Sequence, residues 1–374
     1  MVKLTENEIT QMQIKRIEKE IRDTPYHKAT EHHIGRLRAK LSKLKEQEME
    51  SGKKSKGGGS GGYAVKHQGD ATVVLVGPPS VGKSTLLNTL TNAKSKVAPY
   101  EFTTVSVIPG MMEYKNAKIQ ILDVPGLIKG AEEGKGRGRE VLSVVRGCDL
   151  LIIMTDFENL DAFKSINKTL FDNGIRINTV RPNVIIDKKL SGGIILHSNI
   201  KQDIGKETIK DVASEMGIKN AEIALNEKLT IESLIDALSK NRVYIPTLYI
   251  VNKTDLLSET NDPARINDLN HWNKYNIVKI SAERGEGMDV LREKIWEKLN
   301  FIRVYLVRPD EKPSYDNPVI IKVGQNLKDV AEKIGEEFAE DKEKAKIWGV
   351  GAKFPGQEVS LTTKVAEGMQ VRFI

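Results

Sequence analysis

The 374-residue sequence predicts an α/β chain organised around a parallel sheet. Three observations predict it. Ala71–Val76 (ATVVLV) is a β-branched apolar run that meets a Gly/Pro turn and then a leucine-rich segment opening at Lys83. Lys118–Asp123, Leu150–Thr155 and Thr247–Asn252 are further runs rich in apolar residues, the last two nearly all apolar, as strands covered on both faces are. Helical stretches separate or follow them, the clearest being the amphipathic Met288–Leu299.

The totals limit the function classes. No apolar run approaches the ~18 residues of a membrane span, and MVKLTENEIT is no signal peptide, so a cytoplasmic protein with no membrane partner is expected. One cysteine, Cys148, allows no internal disulfide framework and no zinc cluster; beside the apolar run 150–154 it reads as a small buried hydrophobe. The formal charge is +7, and residues 1–56 carry much of it, with fourteen Lys/Arg against nine Asp/Glu. That excess fits contact with nucleic acid or another acidic surface. It fits a solvated helix face equally well.

In chain order, residues 5–23 carry Ile9, Met12, Ile14, Ile17 and Ile21 at uneven helical spacing. After the break TPYHKAT, Thr30 can cap a second helix with Ile34, Leu37, Leu41 and Leu44 along one side. Two helices joined so closely predict a hairpin that buries its stripe between them. SGKKSKGGGSGG, residues 51–62, cannot pack a core and reads as a connector, so the first piece is 1–62. The α/β pattern begins at 63 and runs to 168. Between Asp156 and Tyr244 lies too much chain for one crossover helix. It holds strand-like pieces (183–187, 193–196) and helix-like pieces (208–216, 230–239), so 169–240 is expected to be a small α+β insertion. The α/β pattern resumes over 241–300 and closes with the strand 277–281 and the helix 288–299. In 301–374, the strands 301–307, 319–323 and 370–374 and a helix 327–338 predict a last small α+β domain. Trp348 there is read as a core residue, and Gly192-Gly193 in the insertion as a turn.

Gly77-Pro78-Pro79-Ser80-Val81-Gly82-Lys83-Ser84, followed by Thr85, is the P-loop pattern between strand and helix. Its glycines let backbone N–H groups converge on phosphates, and the next helix aims its positive end at them. Lys83 would bridge the terminal phosphates, and the Ser84 hydroxyl would bind magnesium. The pattern alone does not separate ATP from GTP. Asp123-Val-Pro-Gly126 ends the next strand, where the aspartate can hold magnesium through water and the Gly126 N–H can reach a γ-phosphate. Asn252-Lys253-Thr254-Asp255 ends another strand. The Asp255 carboxylate can accept two parallel hydrogen bonds from the guanine ring N–H and exocyclic amine, a donor pair that adenine lacks. Asn252 would brace the loops, and the stem of Lys253 would cover the base. Ser281-Ala282 follows the last strand, where the Ala282 N–H can meet the guanine carbonyl. Thr103 and Thr104 lie between the first helix and the strand 118–122; Thr104 is the better candidate to bind magnesium and sense the γ-phosphate. Together these select GTP/GDP with Mg2+, with Lys83, Thr104 and Gly126 as the candidate catalytic set. Leu127 stands where many GTPases place a water-orienting glutamine, so slow intrinsic hydrolysis is expected, with K+, a loop backbone group or a partner ordering the water.

The order of these motifs is similar to that of the translation-factor class of GTPases. GLIKGAEEGKGRGREVLSVVRGCDLL (126–151), with Gly130, Gly134, Gly136, Gly138, Arg146 and Asp149, resembles the second switch of the Obg group. YEFTTVSVIPG and NRVYIPTLYIVNKTD narrow the resemblance to the DRG family of developmentally regulated GTP-binding proteins, in its archaeal branch. It covers essentially the whole chain. It implies a P-loop GTPase domain with an N-terminal helical hairpin, a small α+β inserted domain and a C-terminal β-grasp (TGS) domain, the last resting on AKIWGVGAKFPGQEV and EGMQVRFI. It also implies ribosome, rRNA or tRNA contact, a stabilising partner protein and no DNA partner. Ser80 sits where potassium-dependent relatives often carry an asparagine. Two other readings stay open: an RNA-binding scaffold with structural nucleotide, which Leu127 permits, and a small-molecule kinase, which the NKTD element and the paired threonines oppose.

Overall fold

The computed structural model describes residues 6–54, 69–91, 98–99, 106–124, 137–256, 272 and 275–374. Thr103, Thr104, Gly126, Leu127, Gly130, Gly134, Gly136 and the glycine-rich 55–62 lie outside the described residues. The chain divides into two compact units. One takes the described part of Met1–Gly62 with Leu170–Tyr244, the other the described part of Tyr63–Thr169 with Ile245–Ile374.

The first unit joins what the sequence reading kept apart. Helices α1 (Glu6–Asp23) and α2 (Glu31–Lys54) pack on each other, with Gln11 donating to Glu48 at 3.0 Å and Lys45 pairing with Glu18 at 2.9 Å. Ser51–Lys54, expected to open the connector, continue α2. Ile14 and Ile17 are buried, but Ile9 and Met12 are exposed, so the expected α1 stripe is only partly used. The Thr30 carbonyl accepts the first helical N–H, from Ile34. Its hydroxyl turns back to the Pro25 carbonyl and the His27 N–H and closes the turn instead.

A second face of α2 carries Glu31, Gly35, Ala39 and Ser42, all buried. It packs against α6 (Lys206–Glu215) and α7 (Ile231–Leu238), which back a three-stranded sheet ordered β7-β9-β8 (Val184–Lys188, Ala221–Leu225, Ile194–Ser198). A Cβ on Gly35 would lie 3.0 Å from Thr208 Cγ2, so a larger residue would hold the helices apart. Ala39 belongs to the same apolar core as Ile209, Val212, Ile223 and Leu234. At one end, Glu31 Oε1 accepts from the N–H of Gly205, the N-cap residue of α6 (2.9 Å). At the other, Asp236 takes Nε and Nη2 of Arg176 (2.5 and 2.7 Å) and Nε of Arg242 (2.7 Å), while Arg242 donates to Ser42 (2.7 Å).

The second unit is built on a seven-stranded sheet ordered β12-β11-β5-β1-β4-β3-β2. The strands are β1 Ala71–Val76, β2 Ala98–Pro99, β3 Ser106–Tyr114, β4 Ala117–Asp123, β5 Leu150–Asp156, β11 Thr247–Asn252 and β12 Val278–Lys279. All the pairings from β12 to β4 are parallel; β3 and β2 add antiparallel. Strand β1 is buried throughout, which explains its unbroken apolar run. Register pairs Leu75 with Asp123, Val76 with Ile153, and Asn252 with Asp156. The carboxyl ends of four strands therefore meet at one edge, where ligands of open α/β sheets bind. No helix among the described residues is long and apolar enough to cross a membrane.

Residues from 301 onward form a five-stranded sheet ordered β14-β13-β17-β15-β16 (Pro318–Lys322, Phe301–Leu306, Gln370–Phe373, Lys344–Trp348, Gln357–Ser360). Helix α9 (Leu327–Ile334), capped reciprocally by Asn326 and Asp329, covers one face and is shorter than expected, because Gly335 ends it. Val304, Leu327, Val330, Ile347 and Val371 form its core. Phe301 and Ile320 join the main core instead, with Trp296 and Leu299. Lys322 pairs with Asp149 (2.8 Å) and Lys333 with Asp70 (2.6 Å). Trp348 is only half-buried, with the Arg372 guanidinium 5.4 Å from its ring, which corrects the reading of it as core.

Candidate functional site

The loop Gly77–Gly82 turns off the end of β1 into helix α3 (Lys83–Thr91). Two of its positions demand glycine. A Cβ on Gly77 would stand 2.1 Å from the Met154 carbonyl oxygen, and Gly82 has φ +92° with Asn252 Nδ2 2.4 Å from where its Cβ would be. Ser80 is left-handed without being glycine, at φ 62°. Pro79 and Ser80 are exposed, Gly77, Pro78 and Val81 buried, and Ser84 and Thr85 lie exposed on the first turn of α3. The first turn of a helix has N–H groups with no intrahelical partner and carries the positive end of the helix dipole.

Lys83 is 9% exposed, and its ammonium donates to the carbonyls of Gly77 (3.0 Å) and Pro78 (2.7 Å). Burial pushes its pKa down, against the opposing pull of the Asp123 charge. Asp123, at the end of β4, accepts from the Ser84 hydroxyl at 2.7 Å through Oδ2. Its Oδ1 is buried with no hydrogen-bond partner among the described residues. A bare carboxylate oxygen beside a hydroxyl is a donor set that suits a hard divalent cation, so these residues fit magnesium.

Asn252 staples the site. Its Nδ2 donates to the Val81 carbonyl (2.8 Å), and its Oδ1 accepts from the Ala282 N–H (2.9 Å). Asn252 thus joins the phosphate loop to the Ser281–Gly287 loop. The Ala282 N–H, expected to meet the base carbonyl, donates to Asn252 Oδ1 here. Thr89 of α3 adds a bond to the Ala282 carbonyl (3.0 Å). Ser281 is 1% exposed and accepts from the Arg284 N–H through its hydroxyl. Lys253 is left-handed (φ 61°) and pairs with Asp156 at 3.2 Å. Asp255 pairs with Arg284 at 3.3 Å.

Lys83, Ser84 and Asp123 thus gather at one end of the edge, and Asn252, Lys253, Asp255, Ser281 and Ala282 at the other. Two members escaped the sequence reading. Asp156 ends an apolar strand just as Asp123 does, which was a usable signal; its Oδ1 is also buried without a partner among the described residues. Arg284 carried no signal, because only the fold brings its loop to Asp255.

A P-loop, a hydrogen-bonded pair of Ser84 and Asp123, and a braced NKTD edge on a parallel sheet define a P-loop GTPase domain. Residues 72–188 match the MMR_HSR1 family model, described as a 50S ribosome-binding GTPase, and 191–301 match the C-terminal region of the MMR_HSR1 domain. The chain is 47% identical to an uncharacterized GTP-binding protein of Methanocaldococcus jannaschii, over 95% of this chain and 90% of that one. It is 41% identical to developmentally-regulated GTP-binding protein 1 of Xenopus laevis (94% and 95% covered) and 39% identical to developmentally-regulated GTP-binding protein 2 of Homo sapiens (93% and 94%). The chain belongs to the family of developmentally regulated GTP-binding proteins.

Proposed function

We propose that the chain is a slowly hydrolysing GTP switch that acts on ribosomes or translation-related RNA. The observation that carries the hydrolytic reading is the Ser84–Asp123 pair with its bare buried oxygen beside Lys83. Ser84 and Asp123, with Thr104, would hold magnesium, which when bound neutralises phosphate charge. Lys83 would leave the loop carbonyls for the terminal phosphates. Asp255 selects guanine, Asn252 holds the two loops at the spacing the nucleotide needs, and the Lys253 stem covers the base. Water attacks the γ-phosphorus, the bond to the β-phosphate oxygen breaks, and GDP and phosphate leave. Thr104 and Gly126 close on the γ-phosphate and release it after hydrolysis, which is the switch.

Leu127 has no group to orient water, so turnover is slow until K+ (with Ser80 as a candidate ligand), a loop backbone group or a partner orders it. The five-stranded sheet and α9 read as a β-grasp, TGS-type module. The basic helices α1 and α2 read as an RNA-facing element. The match to a family model of 50S ribosome-binding GTPases supports the choice of partner; a family-type stabilising protein partner and a cytoplasmic site of action belong to the same reading.

GTP hydrolysis measured with and without ribosomes, in potassium and in sodium, tests this reading. Acceleration by ribosomes is expected; fast turnover of the isolated protein in sodium would refute it. The second reading, a scaffold with structural nucleotide, is the one that Leu127 permits. It predicts that ribosome co-sedimentation is the same with GDP and with a non-hydrolysable GTP analogue.

A further inference from the structure

The geometry points to Arg284 as the residue that positions Asp255 for the base, an inference that rests on reading Asp255 as the guanine-selecting carboxylate. The Asp255 side chain is only 10% exposed. An ionised carboxylate so covered needs a counter-charge and a fixed orientation. Arg284 brings one, its Nε 3.3 Å from Asp255 Oδ2.

The loop that carries Arg284 is built to hold it there. Ser281 and Glu286 exchange both backbone hydrogen bonds, each 3.1 Å, so the chain between them is a closed tip. The Arg284 N–H donates to the Ser281 hydroxyl at 3.2 Å inside that tip. Gly287 is left-handed (φ +77°), and a Cβ on it would stand 2.6 Å from the Lys279 carbonyl oxygen, so the base of the loop is tight. The loop carrying Asp255 is tied to the same strand end. The N–H and hydroxyl of Thr254 both donate to the Ile280 carbonyl, at 3.2 and 3.0 Å. Carboxylate and guanidinium therefore sit on two loops stapled to each other.

An ionised carboxylate offers about four acceptor sites, and Arg284 Nε approaches Asp255 on the Oδ2 side. Two parallel bonds from guanine and one from Arg284 can coexist. Arg284 keeps the carboxylate turned and offsets the cost of covering it when the base arrives. Adenine, which offers no donor pair, gains nothing from this arrangement.

Calorimetric titration of the full chain with GDP and with ADP tests the assignment, on wild type, Arg284→Ala and Arg284→Lys, with melting temperature as the folding control. Arg284→Ala is expected to weaken GDP about tenfold, the equivalent of ~1.4 kcal/mol, and to leave ADP unchanged; Arg284→Lys should recover part of the loss. A GDP-to-ADP ratio unaltered in Arg284→Ala, or tighter GDP binding, would overturn the proposal. A wild-type protein with no preference for GDP would instead remove the reading of Asp255 beneath it, and the proposal with it.

Discussion

Asn252→Ala removes a side chain that bonds both nucleotide loops. It strips partners from the Val81 carbonyl and the Ala282 N–H, bonded now at 2.8 and 2.9 Å. Val81, Asn252 and Ala282 are 2%, 3% and 2% exposed, so water does not stand ready to replace the amide. Each buried group left unpaired costs about 1–3 kcal/mol, which puts the pair at about 2–6 kcal/mol. Some loop relaxation makes about 3 kcal/mol the working value. For folding units of roughly 150–250 residues, at ~2–4 °C per kcal/mol, that is a melting temperature ~6–12 °C lower. The assay is thermal unfolding of the protein without added nucleotide, followed by GDP titration of the folded variant. GDP binding is expected to weaken as well, because the two loops lose their common spacing. Asp255→Asn keeps both Asn252 bonds, so it changes base preference without a melting shift of that size. A shift for Asn252→Ala under ~2 °C with wild-type GDP affinity would refute the staple.

Three other outcomes follow from the same structure. Gly77→Ala places a Cβ 2.1 Å from a backbone oxygen of β5, so the loop must move; GDP affinity by calorimetry is expected to fall more than tenfold. Asp236→Ala leaves the buried Arg176 and Arg242 without their shared carboxylate, and breaking such a buried network typically costs about 3–5 kcal/mol; hydrogen exchange should rise in both 170–244 and α2, and a rise in neither would count against the shared core. Burial pushes the Glu31 carboxyl up, but the Gly205 N–H and then Lys28 and Thr208 outweigh it and hold its pKa below the usual glutamate value. A depressed carboxylate stabilises the fold above its unfolded pKa, and that contribution disappears as pH falls through the folded value. Melting temperature should therefore fall more steeply below about pH 4.5 in wild type than in Glu31→Gln; parallel curves would remove Glu31 from the seam.

The strands of the nucleotide domain were legible because burial on both faces leaves unbroken apolar runs. Ala71–Val76 and Thr247–Asn252 were read to the residue. The motifs were legible for a related reason: a loop that cradles phosphate needs glycine where a side chain would collide, as at Gly77 and Gly82. Strands 344–348 and 357–360 were missed: Lys344-Ala345-Lys346-Ile347 does alternate, but over too short a run to stand out, and Gln357-Glu358 breaks the pattern in the second. The face of α2 made of Glu31, Gly35, Ala39 and Ser42 was missed as well. Small and polar residues give no hydrophobic signal, yet close helix packing needs small ones.

Local order in the chain determined which motifs are present: a P-loop, an aspartate at a strand end, an NKTD run at another, and a leucine after Asp123-Val-Pro-Gly126. Each of these is written in adjacent residues, so it survives without knowledge of the fold. Tertiary structure decided which groups share a partner. It spent the Ala282 N–H on Asn252, set Arg284 against Asp255, left one oxygen of Asp123 bare, and merged the N-terminal helices with residues 170–244 into one core. Those pairings join positions tens to hundreds of residues apart, and only closure of the sheet and packing of the helices bring them within hydrogen-bonding distance.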